Sequence, residues 1–235
     1  MKSSVVVYTC LTAAREPLRE DQLVSLESAR EQFVAFVDTR VETLVWEQKV
    51  IETTERSARR SARYIKLLAH RHIDSEFSLW QDANVALRVP LSQLCTDWLT
   101  GYDLAVFRHR TRDCLYKEAQ ICKEKLLDDP EIIDQQTARY RTDGFPENAG
   151  LAETSVVLRR HSARMERFNE LWWEELSAGS VRDQISFMVA AKKAGIRVRL
   201  VTPTKFEHPY FSMTVRPPGR EGTFTQRDAA MLLSP

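Results

Sequence analysis

Glycine is scarce, at 7 of 235 residues. No two glycines form GxG, and no GxxxxGK[ST] run occurs, so a dinucleotide-binding turn and a Walker phosphate loop are both excluded. Cysteine is limited to Cys10, Cys95, Cys114 and Cys122, with no CxxC pair. That spacing argues against a structural zinc site and reads as free thiols in a reducing compartment. No apolar run approaches the ~20 residues that span a bilayer. The apolar stretch 5–8 is too short for the core of a secretory leader. The expectation is therefore a cytoplasmic protein without a transmembrane segment. A surplus of one charge sign is also missing: Lys plus Arg is 34, Asp plus Glu is 33, and the net charge is +1. This argues against a protein whose main task is coating nucleic acid.

What is present is ordinary for a globular chain: 43% hydrophobic and 29% charged residues. A chain this long can bury roughly 70–75% of its unfolded surface, enough for a core without staples. Within the basic set, arginine dominates at 25 against 9 lysines. Its guanidinium is the better fork for planar oxyanions.

Apolar patterning alternates between strand and helix signals. Residues 5–10 (VVVYTC) and 33–38 (FVAFVD) read as buried strands, and 44–50 as a third near an edge. Residues 16–30 are polar and read as irregular or weakly helical. In 56–72, Ala58, Ala62, Ile65 and Ala69 share one helix face. A short strand follows at 77–80, then a helix from Pro90 to about Leu99 and a strand at 104–107. The four-three-four spacing of Leu115, Ala119, Cys122 and Leu126 predicts a helix over 113–126. Another starts at Pro130, and 144–151 reads as a loop. A strand at 155–158 precedes an aromatic helix over 163–176. Ser180 reads as the cap of the next helix, with Asp183 at its third position and Gly195 at its end. A strand at 196–201 closes the series. This alternation predicts an α/β fold with a mostly parallel central sheet flanked by helices, in one domain over 1–215. The Pro/Gly-rich stretch 216–222 opens a loosely held tail, 216–235.

Ligands of open α/β sheets bind past the carboxyl ends of strands, so polar residues there are the candidates. Thr9 and Thr12, Asp38, Asp82 with Asn84, His109 to Arg112, Arg159 to His161, and 202 onward satisfy that position. Two oxygen-bearing side chains two residues apart in an extended segment, Asp82 and Asn84, point the same way and suit a hard cation on a diphosphate. The run 107–113 places Arg108, His109, Arg110 and Arg112 between a strand and a helix start, which suits an anion. Adjacent Trp172 and Trp173 read either as core plus flank or as a platform for a sugar ring.

Six motifs in order carry a resemblance: WQDANVAL (80–87), HRTRDCLYKEA (109–119), DGFPENAGLAET (143–154), RRH (159–161), FNELWWEEL (168–176) and SVRDQISF (180–187). Together they resemble the TOD/MUCI-type glycosyltransferase-like domain family. VVVYTCLT (5–12), FVAFVDT (33–39) and ARYIKLLAHRH (62–72) are also similar to it. The resemblance covers about residues 5–200. It implies a GT-A-like fold and transfer of a hexosyl or uronosyl unit from a nucleotide sugar to a glycan or polysaccharide acceptor. A non-catalytic nucleotide- or carbohydrate-binding protein is the alternative. It further implies that Thr9, Asp38, Arg63, Lys66, Asp82 and Asn84 hold the donor. Catalysis would fall to Asp183 and Gln184, with Glu153 as second candidate. His109, Arg112, Arg160, His161, Trp172 and Trp173 would meet phosphate or acceptor. A divalent metal, manganese or magnesium, would be held by Asp82, Asn84 and His208. The chain departs from a DxD motif there, because Asn84 is neutral. Oligomeric state is left open, and no nucleic-acid partner is expected.

Eleven arginines fall in three stretches: Arg56, Arg59, Arg60 and Arg63; Arg108, Arg110 and Arg112; and Arg159, Arg160, Arg164 and Arg167. That clustering is expected to mark a diphosphate pocket.

Overall fold

A computed structural model describes residues 5–12, 18–19, 31–52 and 57–213. Arg56, most of 16–30 and the tail at 216–235 lie outside the described residues. Strands β1 (Val5–Leu11), β2 (Glu31–Val37), β3 (Glu47–Val50), β4 (Phe77–Gln81), β6 (Leu104–Arg108), β7 (Ala152–Arg160) and β8 (Val198–Val201) form one sheet in the order β3-β2-β1-β4-β7-β6-β8. β1 pairs in parallel with β2 and β4, β2 with β3, and β6 with β8. Only β7 runs antiparallel, against β4 on one side and β6 on the other. The mostly parallel α/β architecture expected from the sequence is therefore present.

The central strands β1, β4 and β7 bury both faces, whereas edge strand β3 is mostly exposed. Val5, Val7 and Leu11 of β1 pack on one side with Leu91, Leu94 and Trp98 of α3 (Leu91–Leu99). Val6 and Tyr8 pack on the other, with Ile65 of α1 (Ala58–Leu67), Phe168 and Trp172 of α6 (Ala163–Ser177) and Phe187 of α7 (Asp183–Ala194). A third cluster joins α4 (Leu115–Glu124), α5 (Pro130–Thr142) and the far side of α7 through Tyr116, Ile133, Tyr140 and Ile185.

Several expectations shift. The strand placed at 44–50 pairs only over β3, and Leu44 is fully exposed. The helix read over 56–72 divides at Leu68 into α1 and α2 (Ala69–His72), with Ser57 accepting from the Arg60 N–H at its start. The strand at 155–158 is nine residues long. Ser180 does not cap α7: the helix starts at Asp183, and the Ser180 hydroxyl donates to Asp128 Oδ2 at 2.6 Å. Gly195 does end α7, in the left-handed region at φ 65° that favours glycine. Two short strands, β5 (Val85–Leu87) and β9 (Phe211–Met213), pair apart from the main sheet, a feature the apolar pattern did not reveal.

Candidate active site

The carboxyl ends of β1, β2, β4 and β6 lie on one edge of the sheet, together with the start of antiparallel β7. Two groups three residues apart on α1, Arg63 and Lys66, reach this edge and meet the first residue of α7. Lys66 Nζ lies 2.5 Å from Asp183 Oδ2, and Arg63 Nε lies 3.3 Å from the same oxygen. The Thr154 hydroxyl, on β7, donates to it at 3.1 Å. Both Lys66 and Asp183 are buried. Burial favours a neutral Asp183, but the charges of Arg63 and Lys66 overcome it and hold the carboxyl below the usual range. Burial pulls Lys66 down from the ordinary lysine value, opposed by Asp183 and Asp82. Its ammonium stands 5.6 Å over the Trp80 ring. Arg63 Nε, although close to Asp183, is not aligned for a hydrogen bond among the described residues, and its side chain is 20% exposed. Arg63 is thus the cation of the group that faces outward.

Asp82 stands beside this cluster. Its backbone N–H donates to Ser155 O at 2.8 Å, and the Trp80 indole donates to Oδ1 at 2.9 Å. Val85 N–H returns to Asp82 O at 2.9 Å, so residues 82–85 form a turn. The extended geometry expected for Asp82 and Asn84 is therefore replaced by a turn, and the period-two argument for parallel side chains does not apply. Asp38 follows β2, its N–H donating to Leu11 O at 3.3 Å. Burial, with Asp38 nearby, pushes the Cys10 thiol up to about 12. Thr9 is fully buried with its hydroxyl unpaired among the described residues, while the Thr12 hydroxyl donates to Ala58 O at 2.7 Å.

Glu153 occupies the start of β7. Its Oε1 accepts from Lys205 Nζ at 2.9 Å and its Oε2 from the Ser155 hydroxyl at 2.8 Å. Gln184 uses its side-chain amide on Ala152 O at 3.0 Å. His109 Nδ1 accepts from the Arg112 N–H at 3.1 Å, and Arg112 Nε donates to Glu118 Oε2 at 2.6 Å, so both residues shape the turn after β6. Burial and the Arg112 charge lower the His109 pKa.

Other expected members lie elsewhere. Because β7 runs antiparallel, its end sits opposite the start of β4: Arg160 pairs with Phe77. Arg160 and His161 therefore lie on the far edge of the sheet, where His161 Nε2 meets Ser78 Oγ at 2.8 Å. Arg159 is fully buried, its guanidinium donating to Tyr8 OH at 2.7 Å and to Lys66 O at 3.0 Å. Arg59 and Arg60 donate to the carbonyls of Leu127 and Gly179. A shared pocket for the three arginine stretches is thus not what the fold builds. Trp172 is fully buried, and Trp173 packs against Tyr64 at 5.2 Å, so this pair does not form an open sugar platform. His208 is buried against Trp98 and Phe107, with Nδ1 accepting from the Tyr210 N–H. Trp80, Thr154 and Lys205 were not singled out by sequence. Thr154 had a usable signal, since it sits one residue past Glu153 at a strand start.

A sequence profile of the TOD1/MUCI70, glycosyltransferase-like domain family matches residues 1–213. The chain belongs to this family. Among relatives of the TOD1/MUCI70 domain, a protein of Arabidopsis thaliana named probable hexosyltransferase MUCI70 is 28% identical over 217 residues, covering 80% of this chain and 37% of that protein. Another from the same plant, named alkaline ceramidase TOD1, is 26% identical over 162 residues, covering 64% and 34%. The chain thus spans little more than a third of either relative. A solved glycosyltransferase involved in glycosylation of the major capsid of PBCV-1 is 11% identical, covers 98% of this chain and 99% of that one, and has a TM-score of 0.48.

The fit of a divalent metal to this TOD1/MUCI70 domain can be tested on its donor set. Asp82 is a single carboxylate with one oxygen engaged by Trp80, Asn84 is neutral, and His208 has one ring nitrogen occupied by its own loop. Among the described residues, no three His, Cys, Asp or Glu side chains gather in a way that could hold a metal ion. The residues present do not build a protein-held cation site. Also among the described residues, no helix is long and apolar enough to cross a membrane.

Proposed function

We propose that this domain is a GT-A-like glycosyltransferase that moves a sugar from a nucleotide-sugar donor to a glycan acceptor. The observation that carries the reading is the convergence of Arg63, Lys66, Thr154 and Asp183 beside Asp82 at the carboxyl edge. Family membership supports it. The same reading treats 1–215 as one domain.

In the reaction, the bond between the anomeric carbon and the diphosphate oxygen breaks, and a bond to the acceptor oxygen forms. The leaving diphosphate gains charge, and Arg63 is the outward-facing cation that meets it. Asp183 positions Arg63 and Lys66. A carboxylate held below its usual pKa is a weak base, so the acceptor proton passes instead to Glu153, which is partly exposed at 20% of its side chain. Asp38 meets the base or ribose of the donor.

The test is an assay of nucleotide-sugar hydrolysis and transfer, with and without manganese, over a panel of donors. Arg63→Ala, which removes the outward-facing cation, is expected to lose at least tenfold in rate on the donor that wild type uses. Full activity in that variant would overturn the site. Nucleotide binding without turnover over any acceptor would favour the non-catalytic alternative. Release of a sphingoid base from ceramide, with no nucleotide sugar consumed, would overturn the transferase reading altogether.

A further inference from the structure

We propose that Asp128 is a positioning residue for the donor site: it fixes the turn that leads into α7 and, through Asp183, the direction in which Arg63 faces. The word donor rests on the glycosyltransferase reading, whereas the placement of Asp183 is measurable without it. Asp128 lies in the link between α4 and α5 and is buried. Its Oδ2 accepts from the Ser180 hydroxyl at 2.6 Å and from the Val181 N–H at 2.7 Å, and its Oδ1 accepts from the Asp129 N–H at 3.0 Å. The Ser180 hydroxyl oxygen in turn accepts from the Arg182 N–H at 3.1 Å. Bonds to a carboxylate are shorter and stronger than bonds to a neutral acceptor, so they define this turn closely.

The same turn is gripped from two further sides. Gln136 of α5, also buried, takes the Ser180 N–H on Oε1 at 3.0 Å and donates to Glu175 O at 3.2 Å. A Cβ on Gly179 would fall 2.4 Å from Gln136 Cδ, so glycine is what lets α5 close on the turn. From α1, Arg60 donates to Gly179 O at 3.3 Å and Arg59 to Leu127 O at 3.1 Å. Asp128 therefore joins the two segments on which α1 rests. Arg63 and Lys66 follow on that helix and meet Asp183, just past the clamped turn. The basic residues of α1 thus divide: Arg59 and Arg60 anchor the helix, and Arg63 is left to face outward. A shift of the turn moves the Asp183 carboxylate relative to both Arg63 and Lys66.

The experiment combines calorimetric titration of nucleoside diphosphates with the NMR signal of the Lys66 ammonium, both in the full chain. Asp128→Ala is expected to shift or broaden that signal and to lower diphosphate affinity about three- to tenfold. Asp128→Asn, whose amide oxygen can still accept from Ser180 and Val181, should recover most of both. In an Arg63→Ala background, Asp128→Ala should leave affinity unchanged, because the loss runs through Arg63. An equal loss in both backgrounds would reduce Asp128 to a stability role and overturn the proposal. So would an unmoved Lys66 signal, or wild-type affinity, in Asp128→Ala. If Asp128→Ala does not fold, Ser180→Ala, which removes the hydroxyl bonded to both Asp128 and the Arg182 N–H, carries the same expectations. If no nucleoside diphosphate binds wild type, the donor reading fails, and the Lys66 signal alone decides whether Asp128 sets Asp183.

Discussion

The ends of β6 and β7 carry the same kinds of side chain to opposite edges of one sheet. β6 closes on Arg108, with His109, Arg110 and Arg112 following; β7 closes on Arg159 and Arg160, with His161 following. At the first end, the Arg108 and Arg110 guanidiniums line a cleft and make no ion pair among the described residues. At the second, Arg159 is locked against Tyr8, and His161 against Ser78. Strand direction decides the difference. A ligand site needs charge left over after folding at the carboxyl edge; the β6 end keeps it there, whereas Arg160 at the β7 end stands over the Phe77 ring at the far edge.

Four stability measurements sharpen that contrast. The largest effect is expected at the carboxyl edge. Asp183→Asn leaves Lys66 buried without its counter-charge, at a cost of roughly 3–5 kcal/mol in urea unfolding. A cost below about 1 kcal/mol would show that Lys66 finds another partner. Next comes Arg159→Met, which removes the donor to the buried Tyr8 hydroxyl and one of two donors to Lys66 O, the other being Tyr8 itself, and should cost roughly 1–3 kcal/mol, with nucleotide binding intact in the folded fraction.

Acidification should act first on the buried histidines and then on Asp183. Burial, then the Arg159 and His70 charges, lowers His161 to about 4, and burial lowers His72 to about 4 as well. A folded-state pKa below the unfolded value means that stability is complete above about pH 6.5 and is lost as pH falls toward 4. His161→Asn should flatten this window by on the order of 1–3 kcal/mol. Asp183, also lowered, gives up its contribution only below about pH 4, the ordinary carboxylate value. Asp183→Asn should therefore flatten the lower window and leave the upper one unchanged. A stability profile flat between pH 6.5 and 4 would contradict the burial of His161 and His72. Smallest is Arg160→Ala, on the exposed end of β7, expected within about 0.5 kcal/mol of wild type.

Much of the fold was legible because helix and strand periods are strong in this chain. The four-three-four spacing at Leu115 and the β-branched run of β1 both reported real elements. Strand direction was not legible: β7 is as apolar as a parallel strand because it too is buried on both faces. That one reversal misplaced Arg160 and His161. The core status of Trp172 followed from its facing Phe187 and Trp80's face of the sheet, a tertiary fact that helical spacing permits but does not require. Asp183 and Lys66 were named through family resemblance, and their contact across 117 residues carries no local signal. Lys205 follows β8 in a segment without periodicity, so nothing marked it.

The most direct test of the account is calorimetric titration of nucleoside diphosphates into wild type, Arg63→Ala and Arg160→Ala. The account predicts that at least one diphosphate binds wild type. Affinity should fall about tenfold or more in Arg63→Ala and stay unchanged in Arg160→Ala. Equal affinity in all three proteins, or a loss confined to Arg160→Ala, would contradict the placement of the donor at the carboxyl edge.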